Sequence, residues 1–220
     1  MPAAAADSPS PPRLPPRLAR AGPLGPAGPV SLDGIEVSGA DVSEQRAAGL
    51  SFDAVRLARV DASGSRLDEL RLIDVELTDC NLANLQGRGV SASRVAIDRS
   101  RLTGISVPGA TLRDLAIRGC RIDLAAFGAG RLTRVTFEDC VLGETSFLEA
   151  ELDSVRFHRC DLTRADFRGA RLHRCEFRGS DLTGLEGIRQ LSGAAIDWPT
   201  VVELAGVWAA ALGIDVLDTD

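Results

Sequence analysis

From Leu32 to Leu182 a hydrophobic side chain returns at every fifth position without one insertion. Thirty-one positions carry this beat; 27 are Leu, Ile, Val or Phe, and the exceptions are Ala47, Ala62, Gly87 and Ala92. All seven phenylalanines fall on it. A second register two residues earlier, running from Val30, Ile35 and Ala40 to Ser180, is mostly aliphatic or small and contains all five cysteines. A period of five excludes the regular elements as sole carriers of the pattern. Five residues turn an α-helix through about 500°, so an apolar stripe drifts by roughly 140° per repeat and cannot face one core. In a straight strand an odd step sends successive anchors to opposite faces. What fits is a short extended piece whose two apolar residues point the same way, followed by a bend. The residues between repeats are rich in Gly, Asp, Arg, Ser and Thr, which suit bends and solvent.

If each bend is near a right angle, four repeats close a coil of 20 residues, and the sequence carries that longer period too. Cys80, Cys120, Cys140 and Cys160 differ by multiples of 20, with Ser100 and Ser180 in the same column. Ile35, Val55, Val75, Val95, Leu115, Val135 and Val155 form another column. From position 127 onward Phe alternates with Leu on the beat, which puts Phe on two opposite walls and Leu on the other two.

The phrases Ala165-Asp166-Phe167, Cys160-Asp161-Leu162 and Ser180-Asp181-Leu182 resemble the A-(D/N)-L-x-x consensus of the pentapeptide-repeat family. The resemblance covers about residues 30–184 and implies an all-β fold, a right-handed quadrilateral parallel β-helix of nearly eight coils. At ~4.8 Å per coil, the spacing of neighbouring strands, the rod is roughly 37 Å long. Between 45 and 107 the match is looser, with Gln45, Gly87 and Ala92 at inward positions, and a local narrowing or irregularity is expected there.

The flanks differ in kind. Residues 1–29 hold nine of the eleven prolines and read as a disordered, solvated Pro/Ala-rich tail, with a PxxP-type ligand as the alternative. Pro23, Pro26 and Pro29 are placed to screen the first strand edge. Residues 185–220 read as a cap: Ala194–Ile196 as a last strand, then a helix over about 198–212 with Asp197 as N-cap and Pro199 in its first turn. Gly213 stops that helix, and 214–217 can return as a short strand. The helix either covers the last open coil or joins two copies end to end, as in some members of the family, so the chain is expected as a monomer or an end-to-end homodimer.

Chemistry is sparse. Cys120, Cys140 and Cys160 should stack at coil spacing as core thiols, too parallel to converge on a metal or pair as disulfides. His158 and His173 follow central residues and point outward on different walls. No catalytic, cofactor-binding or metal-binding constellation is read, and the chain is expected not to be an enzyme. No apolar run reaches the ~18 residues of a membrane span, no secretory h-region is seen, and a cytoplasmic location is expected. Direct nucleic-acid binding is not expected, because the charge is −6 and no basic cluster stands out.

Function must then sit on the outer walls, as a rigid protein-interaction surface or scaffold for an unidentified protein partner. One candidate is a weakly polar strip over three coils that includes Pro108, Ala126, Ala129 and Leu148, with Glu149 its single charge. The other is an acidic wall formed by Asp41, Glu44, Asp61, Glu144, Asp161 and Asp181. Members of the family that bind DNA gyrase imitate duplex DNA, so the resemblance implies a DNA-mimicking modulator or protector of gyrase as the alternative function. Residues 30–184 carry 24 acids and 21 arginines, well short of duplex DNA with its charge about every 1.7 Å of axis. Opposite charges on neighbouring rungs are expected to pair, Arg56 and Arg59 with Glu76 and Asp79, and Glu138 and Asp139 with Arg156 and Arg159.

Overall fold

The computed structural model describes residues 7–20 and 31–217. From Leu32 onward the chain climbs in coils of 20 residues with four walls. We call them A, B, C and D, after the inward residues Leu32, Val37, Val42 and Ala47 of the first coil. Up to Glu186 neighbouring coils pair parallel with a shift of 20. On wall A, Thr111 pairs with Ser91 below and Arg131 above; on wall B, Ala116 pairs with Ala96 and Thr136. Walls A and B merge into one 14-stranded sheet. In the middle of the rod single strands, Arg71–Thr78, Ser91–Asp98, Thr111–Arg118 and Arg131–Glu138, run through the corner and serve both walls. Walls C and D are narrower ladders of single bridges, apart from the pair Arg46–Ala48 and Arg66–Asp68 on wall D. The structure is thus a parallel β-solenoid of about eight turns.

The corners explain how so short a repeat can turn. The residue two places after every beat position is left-handed, from Gly34 to Gly184, and twenty of these residues are not glycine. The left-handed conformation costs roughly 1–2 kcal/mol for a side-chain-bearing residue. The cost is offset because the corner N–H donates to a carbonyl of the next coil, as in Glu44 to Ser63 (2.8 Å) and Asp139 to His158 (3.0 Å). The inner register adds a second stitch. Ser65, Thr145 and Ser180 each donate their hydroxyl to the carbonyl 23 residues earlier, at 2.9–3.0 Å. Cys80, Cys120, Cys140, Cys160 and Cys175 make the same contact through sulfur at 3.5–3.6 Å.

The interior differs along the axis. In the C-terminal half, Phe137, Phe157 and Phe177 stack on wall B and Phe127, Phe147 and Phe167 on wall D, with centroids 4.8–5.6 Å apart within each stack. The two stacks meet edge to face across the axis at 5.7–6.4 Å. Where the beat weakens, between 45 and 107, a local narrowing or irregularity is expected, and an irregularity is found at the corner after Gly87, a bend without the turn hydrogen bond that Ala110 makes to Val107 O one coil above. The pairing runs on through Gln86 and Ser91 without a shift, and the missing volume becomes a cavity of about 810 Å3 on the axis, lined by residues between Leu32 and Phe127. The small beat residues Ala47, Ala62 and Ala92 line it.

The flanks also depart from expectation. The proline-rich segment is not a free tail where it is described. Residues 7–20 run along the A/B corner from the last coils to the first. Arg174 lies 4.0 Å from Asp7, Arg156 donates to Ser8 (2.9 Å), the N–H groups of Ser10 and Arg13 donate to Asp114 (3.1 Å) and Asp74 (2.8 Å), and Ala19–Arg20 pairs with Ile35–Glu36. A segment poor in donors loses little by leaving solvent, and its remaining N–H groups meet the aspartates of the corner. Pro23, Pro26 and Pro29 lie outside the described residues.

At the other end Ala195–Ile196 pairs with Glu176–Phe177 as the last strand, and Asp197 caps the helix, its Oδ1 accepting from the Thr200 N–H (3.2 Å) and its Oδ2 from the Gly179 N–H (2.5 Å). The expected single helix is two short ones, α1 (Trp198–Glu203) and α2 (Ala205–Ala211), broken at Leu204, whose ψ of 5° opens the turn. Leu191 and Leu204 bury themselves on the core, and Ile188, Ile196 and Trp208 pack beside them. Residues 214–217 form no strand: the Ile214 N–H closes back on Ala209 O (2.9 Å) and the segment stays exposed.

Candidate interaction surface

Wall D brings the predicted strip together. Gln86, Ser106, Ala126, Ser146 and Asp166 follow one another in a single bridge column, which places Pro108, Gly128 and Leu148 in the next column and Gly109, Ala129 and Glu149 at the adjoining corner. Pro108, Ala129 and Leu148 are exposed and Ala126 is half-buried. Leu148 (41% exposed) and Leu124 (57%) are the two large hydrophobics that the described part of the rod exposes most. Leu124 stands at the C/D corner beside the strip and was not singled out from the sequence. Its column reads Glu44, Gly64, Asn84, Gly104, Leu124, Glu144, Arg164, Gly184, and a lone leucine among turn and charged residues was the available signal.

Below the strip lies a dent of about 150 Å3, lined by Arg66, Asp68, Gln86, Gly87, Arg88, Ser106 and Pro108. Gly87 is required there: a Cβ would come within 2.6 Å of Leu67 O and 2.7 Å of Val90 Cγ2.

Wall C places Asp41, Asp61, Asp161 and Asp181 in one column, but Asn81, Arg101, Arg121 and Val141 stand between the two acidic ends. Each of these four aspartates accepts an N–H from the residue two places on, Ser43, Ser63, Thr163 or Thr183, at 2.9–3.0 Å. Those contacts hold the carboxyls of Asp41 and Asp61 below the usual range, through the backbone of Ser43 in the first case and chiefly the hydroxyl of Ser63 in the second. Glu144 is engaged by Arg164. The acids of this wall therefore serve corner turns and rung pairing, and they form two patches instead of one continuous stripe.

Rung pairing holds broadly and differs in detail. Arg56 meets Glu76 (2.8 Å), while Arg59 turns to Ser38 Oγ and Asp79 is taken by Arg99 (3.0 Å). Arg159 reaches both Glu138 and Asp139 (2.7 Å each), and Arg156 sits 3.9 Å from Glu176. The A/B corner holds the most enclosed carboxylates of the ion pairs, Asp74 and Asp114. Arg94 grips Asp74 with two bonds (2.6 and 2.7 Å) and Arg134 grips Asp114 likewise (2.7 Å each). These arginines, assisted by the strap N–H groups, hold both carboxyls below the ordinary aspartate value against the opposing effect of burial. The alternation Asp74, Arg94, Asp114, Arg134 at a step of 20 is the sequence signal for this ladder.

His173 Nδ1 lies 3.1 Å from Asp153, and His158 Nε2 lies 3.7 Å from Glu176, on different walls. Burial pushes the Cys175 thiol up to about 11 and raises Cys80 as well. Among the described residues no three His, Cys, Asp or Glu side chains gather as a metal site would require, and no helix is long and apolar enough to cross a membrane.

Residues 110–186 match the family model described as "Pentapeptide repeat region". No curated protein matches the chain. Among solved structures, the chain is similar to a trypsin-treated variant of QnrB1, a plasmid-mediated fluoroquinolone resistance protein, at 20% identity over 86% of this chain and 90% of that one (TM-score 0.42). It is also similar to HetL, a pentapeptide repeat protein involved in heterocyst differentiation regulation from the cyanobacterium Nostoc sp. strain PCC 7120, at 20% identity over 76% and 86% (TM-score 0.40).

Proposed function

We propose that this pentapeptide-repeat protein is a non-catalytic, cytoplasmic scaffold that presents wall D to a protein partner. The observation that carries this reading is the strip Pro108, Ala126, Ala129 and Leu148, with Leu124 at its edge: a weakly polar face three coils tall on an otherwise charge-laddered rod. The rod offers such a face at little entropic cost, since backbone bonds to the coils on either side hold each rung before a partner arrives. The dent over Gly87 gives the strip a lower rim with charged and amide groups that can fix register. Leu148→Arg should leave stability within about 0.5 kcal/mol, because the side chain is exposed, and should abolish recovery of the partner in a pull-down from native cytoplasm with mass-spectrometric identification. Unchanged recovery of the same partner would sink the assignment of the strip.

A gyrase-directed DNA mimic is less well supported, because Arg101 and Arg121 interrupt the acidic column of wall C. A supercoiling assay showing inhibition over a modest protein range would revive it. An end-to-end homodimer has its own support in the cap, where Trp198, Val202, Leu212 and Leu217 are exposed beyond the residues that close the core. Light scattering at micromolar concentration should then give twice the mass of the chain, and a monomer would remove the dimer.

A further inference from the structure

The cavity on the axis has a shape and a distribution of polarity that the scaffold role does not use. It extends over nearly five coils, from Leu32 to Phe127, which at ~4.8 Å per coil is roughly 23 Å. Several of its inward residues keep a trace of accessible surface, such as Val90 at 7%, Leu102 at 4% and Phe127 at 5%, whereas Leu132, Phe137 and Phe147 immediately beyond are fully closed. The tube is therefore blind, with a phenylalanine plug at its C-terminal end.

Apart from the Cys80 thiol, every polar residue on its lining lies in the first coil: Asp41, Gln45 and Arg46. Below them the wall is aliphatic. Water in such a tube would find almost none of the two to four polar partners it needs, and packed interiors rarely leave a void of this size unfilled. Its volume falls in the range of small-molecule sites, about 300–1,000 Å3.

We infer that the tube is a binding site for one long-chain fatty acid, the hydrocarbon tail threaded down the axis and the carboxylate at the first coil beside Arg46. Length fits the tail. An extended chain spans at most ~3.6 Å over three backbone bonds, hence about 1.2 Å per bond, so the tube accepts an unbranched chain of about 18 carbons. Charge fits the head. Arg46 is the single cation on the lining and has no ion-pair partner among the described residues. Of the other polar residues in the first coil's lining, Asp41 stays ionised on the Ser43 N–H and the Gln45 amide donates to Ser43 O (3.2 Å), so the guanidinium is the one charged group there that attracts an anion.

The test uses the full-length, delipidated protein and the fluorescent fatty acid cis-parinaric acid, displaced by unlabelled palmitate. Saturable binding of one molecule per chain is expected. Ala62→Leu with Ala92→Leu restores the large beat residue at two lining positions and should weaken binding at least about tenfold, equivalent to ~1.4 kcal/mol, while circular dichroism and the melting temperature show an intact fold. Arg46→Glu should weaken palmitate but leave a fatty alcohol of equal length unaffected. Leu212→Asp, on the exposed face of the cap, should change nothing. The inference is overturned if the native chain shows no saturable displacement, if the two-leucine variant is folded and binds as tightly, or if Leu212→Asp is the variant that loses binding.

Discussion

The two halves of the rod share one backbone and differ in what fills it. Below Phe127 the inward residues surround a tube of about 810 Å3; above it, two stacks of phenylalanine interlock across the axis, with Phe137 to Phe177 fully closed. The pairing register, the left-handed corners and the coil-to-coil hydrogen bonds are the same in both. Core volume therefore does not set the pairing register of this solenoid. A globular domain that lost this much side-chain volume would be expected to collapse around the gap or unfold, whereas here four hydrogen-bonded walls hold the coil open. Stability should be uneven along the axis, because each coil contributes its own burial and its contacts with the next.

The largest expected effect tests that unevenness directly. Phe157→Ala removes a ring that lies 5.1 Å from Phe137 and 4.9 Å from Phe177, and it should cost about 3–5 kcal/mol. Leu77→Ala, at the same wall position in the hollow half, already faces open volume and should cost about 2 kcal/mol or less, below the usual range for a packed leucine. Urea unfolding followed by circular dichroism measures both, and hydrogen exchange should show faster opening of the coils before Phe127. Equal costs for the two substitutions would erase the distinction between the halves.

A second pair of substitutions should give equal results, since it addresses the frame and not the filling. Asp74 and Asp114 sit at equivalent corners of different coils, 10% and 7% exposed, each gripped by an arginine and by one N–H of the strap. Replacing either with Asn leaves a partly enclosed guanidinium without its counter-charge and should cost about 2 kcal/mol, less than the 3–5 of a fully buried pair. Either change should also loosen residues 7–20 enough for trypsin to cut at Arg13 or Arg17.

The pH dependence has a definite sign. Both carboxyls titrate lower in the folded protein than the ~3.9 of an unfolded aspartate, so their stabilisation is complete above that value and is lost as pH falls through the lowered folded values. A melting temperature that drops in that acid window for the native chain, and drops less for the doubly substituted chain, would bear this out. A loss confined to one of the two sites would mean that the corner is not a uniform ladder.

Much of this was legible in the residues. The five-residue beat and the 20-residue columns define the coil, its four walls and the inward placement of every phenylalanine and cysteine, because a solenoid repeats its environment and the repeat is visible in one chain. The placement of Pro108, Ala126, Ala129 and Leu148 on one wall was legible for the same reason. Three features were not. The conversion of small beat residues into a tube depends on whether the walls relax, and side-chain size alone does not say. The strap at the A/B corner was masked by proline content, which describes what a segment cannot do in isolation and is silent on the carboxylates waiting elsewhere. The left-handed arginines, aspartates and glutamates at the corners run against local propensity, and they are stabilised by hydrogen bonds to coils 20 residues away.

The smallest effect separates hollow from filled most sharply, because it has opposite signs in the two halves. Ala92 sits on wall A between Leu72 and Leu112 and lines the tube. In the delipidated chain Ala92→Leu completes the column and has space to enter, so it should raise stability by about 1–2 kcal/mol through the added buried methylenes. The matching enlargement in the filled half, Leu152→Phe, meets fully closed neighbours such as Phe147 and Phe157 and should lower stability by about 1–3 kcal/mol through overpacking. Paired urea midpoints decide the matter. If Ala92→Leu destabilises, the tube is occupied or closed by something the leucine displaces, and the native chain would then release a ligand on denaturation that mass spectrometry can identify.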